Sequence, residues 1–128
     1  MKTVILALIA LVASSARADY TKTPNQYVKV SGVRYAYRTV GSPTGIPLVL
    51  LQHWTGTMDH WDSELIDLLA EQHKLYILDN TGIGASGGKV PDNVKSMAKD
   101  AVSIIKALHL QKVDLLGFSL GGFLRSRF

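Results

Sequence analysis

Hydrophobic and polar positions divide this chain into segments of different period. From Gln26 to Val40 they alternate, with Tyr27-Val28-Lys29-Val30 and Val33-Arg34-Tyr35-Ala36-Tyr37-Arg38 on either side of Ser31-Gly32. Alternation with period two about a Ser-Gly turn predicts an antiparallel hairpin with one wet face. Pro47 to Gln52 is instead almost continuously apolar, which predicts a short central parallel strand buried on both faces. Trp61, Leu65, Leu68 and Leu69 recur at helical spacing, with Asp59 as the expected cap. Leu75 to Leu78 reads as a second buried strand, and the glycine-rich Asp79 to Gly88 as a loop too flexible to belong to an element. Val94, Met97, Ala98, Ala101, Ile105 and Leu108 then share one face of a longer helix opened by Pro91-Asp92, and Val113 to Leu116 gives a third strand. Strand, helix, strand, helix, strand implies an α/β fold with a parallel sheet and crossover helices.

The first eighteen residues follow a different logic. Lys2, the apolar run Val4 to Ala13 and the terminal Ala16-Arg17-Ala18 have the layout of a secretory signal peptide cleaved after Ala18. A run of about ten apolar residues is too short for a membrane span, which needs about twenty, so no stable membrane anchor is expected. Two of the four net positive charges, Lys2 and Arg17, fall in this leader, and the rest form no Lys/Arg cluster. The charge therefore gives no reason to expect a nucleic-acid partner. With no cysteine in the chain, an exported domain gains no disulfide framework and depends on a packed core.

Chemistry is concentrated at Gly117-Phe118-Ser119-Leu120-Gly121, a GxSxG pentapeptide that directly follows a predicted strand. In such an elbow the serine occupies a strained turn that lifts its hydroxyl above the sheet, while the flanking glycines Gly117 and Gly121 let strand and helix backbones approach. A serine hydroxyl needs a base to take its proton and donors to hold the oxyanion formed on attack. One donor is expected from the backbone N–H of Leu120, at the start of the following helix, and another from the loop Gln52-His53-Trp54-Thr55-Gly56. Gly82-Ile83-Gly84-Ala85-Ser86-Gly87 formally fits a dinucleotide-binding turn, but its glycines do not open a helix that could receive a pyrophosphate. A nucleotide-binding module is therefore the weaker alternative. No cofactor or metal site is expected.

Three blocks in order, Leu48 to Trp54, Asp79-Asn80-Thr81-Gly82-Ile83-Gly84-Ala85-Ser86 and Gly117 to Gly121, resemble the N-terminal half of an α/β-hydrolase domain over about residues 47–123. The pairing of Gln-His-aromatic with Asp-Asn before the glycine loop is similar to haloperoxidase-like and proline-iminopeptidase-like members. The resemblance implies a three-layer α/β/α hydrolase fold, Ser119 as nucleophile, and the Trp54 N–H as second oxyanion donor. It also implies a small-molecule acyl substrate, an ester, amide or related bond. Gln52 stands where the family usually has His, and His53 where it usually has Gly; His53 matches a structural position and not the general base. His60, His73 and His109 are expected at the surface.

The family's acid and histidine follow the serine in chain order, and nine residues follow Ser119 here, with the pattern lost after about Phe123. The expectation is a signal peptide over 1–18 and an incomplete hydrolase domain over 19–128, truncated after the elbow strand and inactive alone. Its elbow strand would be an unprotected apolar edge prone to aggregation. The alternative function is a non-catalytic hydrolase remnant.

Overall fold

A computed structural model describes residues 19–125, with side chains through residue 122. The expected leader, 1–18, and the last three residues lie outside the described part. Eight regular elements follow one another: β1 (Gln26–Val30), β2 (Val33–Gly41), β3 (Leu48–Leu51), α1 (Ser63–Ala70), β4 (Lys74–Leu78), α2 (Val94–Ala107), β5 (Asp114–Gly117) and α3 (Leu120–Arg125). Short 3-10 turns at Tyr20–Lys22 and Met58–His60 complete the path.

The strands form one mixed sheet in the order β1-β2-β4-β3-β5. β1 and β2 are the expected hairpin, Gln26 opposite Tyr37 and Val30 opposite Val33, with Ser31 and Gly32 both at positive φ in the turn. β2 lies antiparallel to β4, while β3 runs parallel to both β4 and β5. All four residues of β3 are buried, as a strand with neighbours on both edges and helices on both faces must be.

The pleat sorts side chains into two cores. Val49 and Leu51 point, with Tyr35 and Leu78, into a cluster closed by Met97, Ala98, Ala101, Ile104 and Ile105 of α2. Leu48 and Leu50 point the other way, with Leu75 and Ile77, into a cluster containing Tyr20, Met58, Trp61 and Ile66 of α1. The result is the expected three-layer α/β/α arrangement.

Three local expectations are corrected. α1 buries Ile66, at 1% exposure, while Leu65 and Leu68 stay 38% and 52% exposed, and Trp61 precedes the helix. Asp59 is not its cap: Asp62 accepts the Leu65 N–H, and Asp59 is ion-paired with buried Arg38. α2 begins at Val94 behind the Asn93 cap, so Pro91 and Asp92 precede the helix.

Tyr20 connects the N-terminal turn to this frame, its hydroxyl donating to the Trp61 carbonyl at 2.6 Å. Burial pushes the phenol's pKa up from the ordinary tyrosine range. A folded pKa above the unfolded value of about 10 means that the stabilisation is complete below that pH and lost as pH rises through the folded value. Tyr20→Phe is expected to cost about 1 kcal/mol at neutral pH and to remove this part of the alkaline decline, measured by thermal unfolding between neutrality and pH about 11.

Candidate active site

β5 ends at Gly117 and α3 begins at Leu120, so two residues make the turn. Ser119 does so with φ at 54°, the left-handed region, which costs a non-glycine residue about 1–3 kcal/mol. The Phe118 N–H donates to the Leu51 carbonyl at 3.0 Å, and the Gly121 and Gly122 N–H groups donate to the Phe118 and Ser119 carbonyls at 2.9 Å. A Cβ on Gly121 would collide with the Leu51 carbonyl, and one on Gly117 with the Gly121 carbonyl. The motif's two glycines are therefore set by backbone packing against backbone. Ser119 itself is exposed, and its hydroxyl has no hydrogen-bond partner among the described residues.

β3 delivers the second loop to the same place. Leu51 is paired with Gly117, so the chain leaves the sheet at Gln52 beside the elbow. The Gly56 N–H donates to the His53 carbonyl at 3.0 Å, closing a turn with Trp54 and Thr55 at its corners. Trp54 and Leu120 line one open cleft of about 250 Å³ together with Pro91, Val94 and Met97. Neither the Trp54 nor the Leu120 N–H donates to a protein acceptor among the described residues. His53 meets Phe118 edge to face, ring centroids 5.8 Å apart, and stacks on His60 at 6.2 Å; it makes no bond to Ser119. His60 is exposed, as expected, but its Nδ1 accepts the Thr57 N–H and so shapes the turn after the loop.

The topology explains why these loops meet. The connection after β3 passes to α1 on one face, whereas β5 continues into α3, which packs with α2 on the other. Neighbouring parallel strands whose chains leave to opposite faces open a crevice at their carboxyl ends, where open α/β sheets bind ligands. Ser119 and the Gln52–Gly56 loop border that crevice.

The sequence assigned no role to Asp79 beyond its place in a motif. At 2% exposure its carboxylate accepts the Met58 N–H at 2.7 Å through Oδ1 and the Ala85 N–H at 2.8 Å through Oδ2. Its carbonyl accepts from the Ser86 hydroxyl at 2.8 Å, and that oxygen in turn accepts the Ala36 N–H at 2.9 Å. The Asp79–Gly88 segment is thus pinned at its base. A Cβ on Gly84 would run into the Asp79 carboxyl group, so this glycine serves a close contact within the loop. Among the described residues no cluster of three or more His, Cys, Asp or Glu side chains could hold a metal, and no helix is long and apolar enough to cross a membrane.

The family model for the alpha/beta hydrolase fold matches residues 46–127. The chain belongs to this family. A solved alpha/beta hydrolase fold protein from Chitinophaga pinensis is 48% identical and superposes with a TM-score of 0.81, covering 84% of this chain and 39% of that one. A proline iminopeptidase from Lacticaseibacillus rhamnosus is 32% identical over 80% of this chain and 37% of its own length. A non-heme chloroperoxidase from Streptomyces lividans is 26% identical over 71% of this chain and 33% of its own. Putative carbamate hydrolases from Agrobacterium fabrum and Rhizobium rhizogenes match as well, each 31% identical, so the relatives share the superfamily that the three sequence blocks resemble. The chain spans about a third of the length of the curated relatives it matches.

Asp79→Ala would leave the buried Met58 donor unpaired, at about 1–3 kcal/mol, while the part-buried Ala85 donor can turn to water. Gly121→Ala is expected to destabilise at least as much, because the obstructing atoms are backbone. Urea unfolding of both variants against the parent checks this; an unchanged midpoint for either would show that the neighbouring backbone yields.

Proposed function

We propose that this chain carries the nucleophile half of a secreted serine hydrolase acting on an ester, amide or related acyl bond. The observation that carries the reading is Ser119 held at φ 54° between a half-buried parallel strand at the sheet edge and a helix, by two glycines that admit no Cβ. Strain of this kind persists only where surrounding structure over-determines it, and it clusters at reactive positions. The Ser119 hydroxyl would attack the carbonyl carbon while a histidine takes its proton; the Leu120 and Trp54 N–H groups would hold the oxyanion. His53, which edges onto Phe118 and has no bond to Ser119, is not assigned as the base. The base and its acid partner are taken to come from elsewhere in the protein.

The leader over residues 1–18 supports export, and cleavage after Ala18 would leave Asp19 to cap the first turn through the Thr21 N–H. A mature N-terminus elsewhere than Asp19 would refute that cleavage site. The second reading, a non-catalytic relative that keeps the fold without the chemistry, is distinguished by covalent labelling.

A fluorophosphonate probe is expected to label Ser119 in full-length protein that includes the base and its acid partner, and to label neither Ser119→Ala nor Ser119→Gly in that protein. Ser119→Gly should in addition raise the unfolding midpoint by the equivalent of about 1 kcal/mol, because glycine adopts the left-handed region without penalty. Folded protein that takes no label would favour the non-catalytic reading.

A further inference from the structure

The Gln52–Gly56 loop beside the elbow carries two consecutive amides, those of His53 and Trp54, and they are not equivalent. Gln52 is 1% exposed, and its side-chain Oε1 accepts the N–H of the next residue, His53, at 2.9 Å. Because the backbone group is a donor, the side-chain atom facing it must be the oxygen. The stem of the same side chain fills the space beneath Gly56: a Cβ there would collide with Gln52 Cγ and approach Cδ and His53 Nε2 at 2.8 Å. One buried glutamine therefore both occupies the His53 amide and supports the turn whose corner is Trp54. The Trp54 amide is left without a protein acceptor among the described residues.

We propose that Gln52 is a positioning residue that withholds the His53 amide, so that the loop presents the Trp54 amide as its oxyanion donor. This rests on the serine-hydrolase reading of Ser119. Gln52 touches no reacting atom; it acts through the loop. A neutral side-chain carbonyl suits the task, because it satisfies the amide without placing a full negative charge beside a developing oxyanion. The deeper consequence concerns specificity of geometry: with His53 free, the loop could rotate either amide toward the crevice, and preorganisation of the donor would be lost.

Two measurements on full-length protein that includes the base and its acid partner, and on its Gln52→Leu and Gln52→His variants, test this. In the unmodified protein the His53 amide is expected to exchange slowly with solvent by NMR and the Trp54 amide quickly. After reaction with a fluorophosphonate the Trp54 and Leu120 amides become protected. Gln52→Leu should free the His53 amide and slow labelling by about tenfold or more, short of the 10²–10³ typical of losing a donor outright. The KM for p-nitrophenyl acetate should change little while kcat falls. Gln52→His, which restores a ring-nitrogen acceptor, should recover much of the rate. A His53 amide that exchanges fast in the unmodified protein, or a folded Gln52→Leu that labels at the parent rate, overturns the proposal. The first of these needs no folded variant. If the parent takes no label, the reading of Ser119 falls and this inference with it; slow His53 exchange would then mark a purely structural contact.

Discussion

Everything at the carboxyl edge of the sheet depends on one close contact between main chains. The start of α3 lies against the end of β3, near enough that Gly121 has no room for a Cβ beside the Leu51 carbonyl, while Gly117 is equally crowded by Gly121. Packing at that distance forces the chain to reverse within Phe118 and Ser119, and the reversal is what puts Ser119 at positive φ. The strain is local and small beside the burial that sustains it. Val49, Leu50 and Leu51 are completely buried, and each fully buried aliphatic side chain contributes about 1.5–3 kcal/mol. The central strand thus holds the elbow in a conformation that the elbow's own residues would not choose.

Asp79 extends the same control to the flanking loops. A carboxylate at the end of β4 is bonded to the amide that begins the Met58 turn and to the amide of Ala85, so the segment leaving β3 and the segment leaving β4 share one anchor. Charge-assisted bonds from backbone N–H to carboxylate are roughly twice as strong as neutral ones. Two loops without regular structure gain fixed positions relative to the sheet, which a reactive site needs more than it needs helices or strands.

The sequence made the framework legible because burial and period were clear: the hairpin, three parallel strands and α2 all follow from alternation, apolar runs and helical spacing. It was less informative where a residue's role depends on a distant partner. Leu65 and Leu68 look like core in a helical projection, yet α1 buries Ile66 instead, since the projection cannot say which side of a short helix meets the sheet. Asp59 looks like a cap and pairs with Arg38, twenty-one residues earlier in sequence. The candidate site divides in the same way. Ser119, Gly117 and Gly121 form a local motif and could be read directly. The hold of Asp79 on Met58 and Ala85 could not: the glycines of Asp79 to Gly88 read as a flexible loop, whereas side-chain bonds to distant backbone groups pin the segment.

Register is the remaining link between fold and site. Leu48 to Leu51 pair in parallel with Asp114 to Gly117, and this alignment alone brings the residue after Leu51 beside the residues after Gly117. Slipping β5 by one position would move Ser119 by about 3.3 Å along the strand and turn Leu115 and Leu116 toward the opposite layers. Leu115 packs with the α2 cluster and Leu116 with the α1 cluster, so both layers oppose the slip. The same hydrophobic sorting that makes the domain fold therefore fixes where the serine hydroxyl stands relative to the Trp54 turn. In this chain the geometry of the candidate chemistry is a consequence of core packing rather than an addition to it.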